Sequence, residues 1–266
     1  MPVDTQDVPE GLIRPGGAPL YAPDLFRPAY RPARGERWRL DVAPLSLCPG
    51  YWSGVQVVTD MAVLTRTEGT GETAGLRTWM SMTPMEIESQ ELGCRAAFGH
   101  TVVMGLGMGW AAANAALRPE VAAVTVVEFD PEVIAMIEAV GVFAQLPPDA
   151  AAKVAVVNAD ALSWTPEAPA DTLLADIWLP LNGDDRVEQV RRMRANTGAT
   201  KVYFWGQEMV IAGRARELGL PLEPGAVGRA NVERIVAELG MPLIGPELPD
   251  YPERIALAAV QWLQDV

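Results

Sequence analysis

Histidine occurs once, at His100, and cysteine twice, at Cys48 and Cys94, in a chain of 266 residues. The two thiols stand at neither a metal-ligand nor a disulfide-framework spacing, and one imidazole supplies too few donors for a transition-metal site, so a reduced, metal-free protein is expected. Positive charge is also scarce: 21 Lys and Arg face 34 Asp and Glu, a formal net charge of −13. That field repels a phosphate backbone or an anionic membrane surface, which argues against nucleic acid and membrane as partners. The first eleven residues carry Asp4, Asp7 and Glu10 and no basic-then-apolar run, so a signal peptide is not indicated and a cytoplasmic location is expected. No Gly-Lys-Ser/Thr occurs, which removes the P-loop. One uncharged stretch, the 22 residues Ala96–Leu117, is nominally long enough for a bilayer, but its four glycines fit a soluble strand, turn and helix better.

Apolar residues are abundant, at 49% of the chain, enough to bury the core of one large or two small domains. Residues 1–45 are dense in proline (Pro15, Pro19, Pro23, Pro28 and Pro32) with neither helical nor strand period, which predicts an irregular arm. Residues 46–82 read as a small antiparallel β-element, with Tyr51–Thr67 and Leu76–Met80 as strands around a Glu68–Gly75 loop. Thr83-Pro84-Met85-Glu86 is a capping-box pattern with proline at the first helical position, predicting a helix over Pro84–Ala97. Strand and helix then alternate through residues 83–210, the order of a parallel sheet covered on both faces. Strands are predicted at Thr101–Met104, Val121–Glu128, Lys153–Val157, Thr172–Ala175 and Lys201–Trp205. Residues 211–266 read as a helical extension on the same domain. In its last helix Ile255, Leu257, Val260, Trp262 and Leu263 serve either the core or a homodimer partner.

Four features fall at the carboxyl ends of these strands, where open parallel sheets bind ligands. Val102-Val103-Met104-Gly105-Leu106-Gly107-Met108-Gly109-Trp110 is a strand entering a glycine-rich turn and a helix, where the backbone can approach a ligand closely. Trp110 occupies the position at which a dinucleotide fingerprint requires glycine or alanine, which disfavours nicotinamide and flavin cofactors; the same glycines also suit a tight turn with no ligand. Glu128 ends the second strand, 19 residues beyond Gly109, where a carboxylate can accept from both ribose hydroxyls. Asn158-Ala159-Asp160-Ala161 follows the third strand and Asp176-Ile177-Trp178-Leu179-Pro180 the fourth.

Taken together, Tyr51 to Gln207 resembles the class I S-adenosylmethionine-dependent methyltransferases, in their spermidine-synthase-like branch. The branch likeness lies in the β-element and helix ahead of the glycine motif, in Met104 where many methyltransferases place an acid, and in Asp-x-x-x-Pro after the fourth strand. The resemblance implies an α/β, Rossmann-like methyltransferase fold with S-adenosylmethionine as cofactor and a small-molecule acceptor. It assigns Gly105, Gly107 and Gly109 to the methionine portion, Glu128 to the ribose, Asp160 with Ala161 to the adenine and Asp176 to the reacting edge. Asp176 is the candidate for orienting or deprotonating the nucleophile.

Glu86, Gln90, Trp178 and Gln207 are candidates to line the acceptor pocket, with Glu88 and Glu208 beside them. Against that stand a capping-box role for Glu86, a solvated face for Glu88 and packing under a lid for Trp178; Tyr51 and Trp52 are candidates to close over the site, with an ordinary domain-packing role as the alternative. Aminopropyltransferases of the branch carry Asp where this chain has Met108 and Leu179, so both of their amine-handling carboxylates are absent, which argues against a decarboxylated donor. An aminopropyltransferase with an altered amine site, or a non-catalytic interaction protein of the same fold, are the competing readings.

Overall fold

The computed structural model describes residues 17–69 and 75–263. Four antiparallel strands come first: β1 (Ala33–Arg34), β2 (Trp38–Pro49), β3 (Val55–Glu68) and β4 (Gly75–Ser81), in sheet order β1-β2-β3-β4. The irregular arm expected through residue 45 is therefore corrected: residues 38–45 lie in β2, paired with β3 from Trp38↔Arg66 to Pro49↔Val55. Pro44, which has no N–H to give, interrupts the pairing between Ala43↔Met61 and Leu45↔Thr59. Asp60, between those partners on β3, has a left-handed φ of 48°, so the strand's alternation is locally broken. Residues 1–16 of the predicted arm lie outside the described residues.

Thr83 caps α1 (Pro84–Ala96), its hydroxyl accepting from the Glu86 N–H at 3.3 Å. The alternating unit follows as β5 (Gly99–Met104), α2 (Trp110–Ala116), β6 (Val121–Glu128), α3 (Pro131–Val140), a short α4 (Pro148–Ala151), β7 (Val154–Asn158), β8 (Thr172–Ala175), α5 (Arg186–Thr197) and β9 (Lys201–Phe204). Asp130 caps α3 by accepting from the Glu132 N–H at 3.0 Å, with Pro131 at the first helical position. All five strands pair in parallel, in the order β7-β6-β5-β8-β9. This is a Rossmann-like sheet. Chain order reverses on either side of β5, and the crevice opened there lies where the glycine turn leaves the strand.

No antiparallel pair closes this sheet among the described residues. Instead residues 242–244 run beside β9, with Val202 N donating to Pro242 O at 3.0 Å and Ile244 N to Val202 O at 2.8 Å. The chain then packs α6 (Gln207–Leu218), α7 (Ala226–Leu239) and α8 (Tyr251–Trp262) on one another, Gln207 tying α6 to the carbonyl of Ile244. On α8, Ile255 is in the core, while Val260 is 87% exposed. The Trp262 indole N–H reaches the carbonyls of Gly50 (3.2 Å) and Tyr51 (3.1 Å), joining α8 to the turn between β2 and β3. Among the described residues no helix is long and apolar enough to cross a membrane, and no cluster of His, Cys, Asp and Glu could hold a metal ion.

Candidate active site

A cavity of about 290 Å³ opens at the carboxyl ends of β5, β6 and β8. Gly105, Gly107, Glu128, Asp160, Ala161 and Asp176 line it, as do Glu86, Gln90 and Trp178. Four of the candidate residues are elsewhere: Gly109, Gln207, Glu88 and Glu208. Gly109, with φ 78°, caps α2 and packs toward Ile137, Val142 and Phe143, so it serves the turn and lines none of the cavity. Gln207 is fully buried behind the sheet edge, where its amide donates to Ile244 O (2.7 Å) and to the Tyr251 hydroxyl (2.6 Å). It is a packing residue because α6 begins inside the core.

Gly105 is the glycine whose conformation the site most requires. Its φ is 96°, and a Cβ there would overlap the carbonyl oxygen of Asp176, so only glycine lets the turn after β5 pass against the turn after β8. Glu128 joins the glycine turn to the tip of β6: Oε2 accepts from Leu106 N and Oε1 from Asp130 N, both at 2.8 Å. Each carboxylate oxygen has two lone pairs, so both can accept a further donor while the backbone holds the group still. Asp160 opens the turn after β7 by accepting from Leu162 N at 2.9 Å, with buried Ala161 beside it.

At the other end of the cavity the Gln90 side-chain amide donates to two carboxyl groups, Glu86 Oε1 at 2.7 Å and Asp176 Oδ2 at 3.1 Å. Burial pushes the Asp176 carboxyl up to about 7, against the pull of the Arg186 guanidinium and a backbone hydrogen bond from Trp178. Glu86 is raised well above the ordinary range by burial first and by the charge of Asp176 second. Both carboxyls are shifted toward holding their protons, Glu86 by burial and by the charge of Asp176. Glu86 thus departs from the capping box: its N–H is capped by Thr83, but its carboxyl belongs to the cavity.

The solvated face expected for Glu88 is likewise corrected. That side chain is buried, and its carboxylate accepts from the backbone N–H groups of Tyr51 (2.8 Å), Trp52 (3.1 Å) and Ser53 (3.2 Å). Tyr51 packs in the interior, its hydroxyl 3.3 Å from Glu208 Oε2. The hydroxyls of Tyr203 and Tyr251 both reach Glu208 Oε1 at 3.0 Å. His100 stands at the start of β5, its Nε2 2.9 Å from Thr125 Oγ1, away from the cavity.

Burial pushes Glu208 up to about 7, while its hydrogen bonds pull the other way. The folded state therefore holds this proton more tightly than the unfolded chain. The associated stability is complete below the ordinary glutamate range and is lost as pH rises through about 7. The thermal midpoint is expected to be higher at pH 5 than at pH 8, and Glu208→Gln, which cannot ionise, should reduce that difference. The limit set by the shift is on the order of 3 kcal/mol. Calorimetric scans of both proteins across this range check it, and identical pH slopes would contradict the assignment.

The N-terminal sheet completes the cavity with residues that sequence patterns did not single out: Trp38, Leu64, Arg66, Trp79 and Met80. Trp38 and Trp79 meet edge to face at 5.4 Å, with the Arg66 guanidinium 4.8 Å over the Trp79 ring. Met80 lies across the glycine turn, its sulfur accepting from Met108 N at 3.1 Å.

No protein-family model matches the chain, and no curated protein matches it. Among solved structures it is similar to the DhpI–SAH complex, with 20% identity over 44% of this chain and 54% of that one, at a TM-score of 0.33. A second is the glycopeptide N-methyltransferase MtfA complexed with (S)-adenosyl-L-methionine: 19% identity, 41% and 48% of the two chains, TM-score 0.33. A third is the methyltransferase domain of bacterial CtHen1-C: 12% identity, 44% and 65%, TM-score 0.35. The chain spans about half the length of the first two. The fold assignment rests on the strand order and pairing, which stand independently of these likenesses.

Proposed function

We propose that this chain is an S-adenosylmethionine-dependent methyltransferase acting on a small-molecule acceptor. The observation that carries the reading is Glu128, fixed by two backbone N–H groups at the tip of β6 and joined to the glycine turn above a cavity at the sheet's switch point. The residues present fit the cofactor. Glu128 keeps lone pairs that would serve ribose hydroxyls, Asp160 and Ala161 would border the adenine, and Gly105 and Gly107 add no side chain of their own on either side of Leu106. Bound S-adenosylmethionine supplies a methyl group already activated by its sulfonium. The chain's own work is then to align the nucleophile, exclude water and take up a proton. Asp176, its carboxyl raised by burial to about 7, accepts the proton of an N–H or O–H nucleophile. Trp178, Trp205 and Tyr203 wall the space beside it.

Within the class, we infer kinship with the spermidine-synthase-like branch from the antiparallel sheet ahead of α1, which supplies part of the cavity. The donor is nonetheless the carboxylated one. Met108 is completely buried and uncharged, so that position offers no counter-charge to the ammonium of a decarboxylated donor, whereas the carboxylated donor brings its own carboxylate. Calorimetric titration with S-adenosylmethionine, S-adenosylhomocysteine, decarboxylated S-adenosylmethionine and NADH tests the reading. Binding of the first two alone is expected. Preference for the decarboxylated donor would establish aminopropyl chemistry instead, and binding of none would leave an interaction protein of the same fold.

A further inference from the structure

Arg186 is the first residue of α5 and is 2% exposed, whereas Arg191 and Arg192 on the same helix face solvent. Among the described residues it makes no ion pair. Its guanidinium instead folds back over the β8–α5 loop and donates to the carbonyls of Pro180, Leu181 and Trp205, the last at 3.1 Å. The cation lies 4.8 Å from the Trp178 ring centroid and 5.4 Å from that of Trp205, both cavity-lining residues. Its Nε has no hydrogen-bond partner. Gly206, at φ 82°, leaves the space this requires, since a Cβ there would overlap Nη1 and crowd the Leu181 carbonyl.

A buried guanidinium without a carboxylate in contact is costly unless a nearby negative charge offsets its desolvation. The groups facing Asp176 are Glu86 and Gln90 from α1, Arg186 from α5 and the Trp178 N–H from its own loop; Tyr203 on β9 lines the same cavity but turns its hydroxyl to Glu208. Arg186 is the cation of this set, and Tyr51 is the other titratable group coupled to it.

With Asp176 at the reacting edge, as proposed above, we propose that Arg186 is a positioning residue: its planar fork clasps the β8–α5 loop by the loop's own carbonyls and sets the buried positive charge that Asp176 faces. The two roles need different properties of one side chain. Clasping the two loop carbonyls together with that of Trp205 after β9 needs the spread of the guanidinium, while the field at Asp176 needs only charge. Lysine would keep the second and lose the first.

The test is a carboxyl-carbon NMR titration of protein labelled with [4-13C]aspartate, the Asp176 signal being the one lost in Asp176→Asn. In Arg186→Met the midpoint of Asp176 is expected to rise by about one pH unit or more from its wild-type position near 7. In Arg186→Lys it should stay close to the wild-type value, while the amides of residues 177–185 exchange hydrogen roughly tenfold faster. A folded Arg186→Met protein with an unmoved midpoint overturns the electrostatic role. An Arg186→Lys loop that exchanges as slowly as wild type overturns the clasp, and this variant decides the matter if the methionine variant does not fold. Donor affinity, measured by calorimetry on the same wild-type sample, reports separately on the methyltransferase reading, whose failure would leave the titration result unaffected.

Discussion

Glu128→Ala is expected to bind S-adenosylmethionine at least ~100-fold more weakly than wild type, in calorimetric titrations at matched pH and salt. In the proposed site two ribose hydroxyls lose a charged acceptor, and each hydrogen bond to a charged group contributes about 1.5–3 kcal/mol. The same change frees Leu106 N and Asp130 N, so the glycine turn loses its tether to β6 as well. Glu128→Gln should fall between the two proteins, because its amide keeps one accepting oxygen but places an NH2 group against one of those backbone donors. Thermal unfolding separates a loosened turn from a lost ligand contact. Donor affinity unchanged in a folded alanine variant would move the nucleotide away from β6 altogether.

Asp176→Asn is expected to do the reverse, retaining donor affinity within about twofold while lowering turnover roughly 10²- to 10⁴-fold. The measurement uses whichever acceptor a screen with isotope-labelled donor returns. The base must be ionised to take a proton, and burial places its titration at about 7. Wild-type turnover should therefore rise as pH increases through neutrality and level off above it. Asparagine has nothing to titrate, so the residual rate should lack that limb. Full turnover in the variant, or an identical pH limb, would remove Asp176 from the chemistry.

How far the residues announced this arrangement depends on whether their signal was local. Thr83-Pro84 and Asp130-Pro131 mark helix starts by capping chemistry that needs no tertiary partner, and both helices begin there. The apolar runs of β5, β6 and β8 are legible because a parallel strand covered on both faces is apolar on both. β2 was hidden because Pro44 interrupts its alternation, and only pairing with β3 reveals it. Glu88, Gln207 and Arg186 were misplaced or overlooked for a common reason. Each is a polar helix residue that turns inward to partners off its own helix, and no periodicity distinguishes that from exposure to water. Glu86, Gln90 and Asp176 were readable one by one. Their union through a single amide bridges residues 86 positions apart and appears only once α1 lies against the turn after β8.

The contacts around Tyr51 also bear on how the chain reaches this state. Tyr51 meets Glu208 across 157 positions, and the Trp262 indole meets the Tyr51 carbonyl across 211. Closing such loops gives up chain entropy before any contact repays it, which places these junctions late in assembly and slows folding relative to the local βα units. Until α8 docks, Glu208 lacks the Tyr251 hydroxyl and the turn at Gly50–Tyr51 lacks its indole donor.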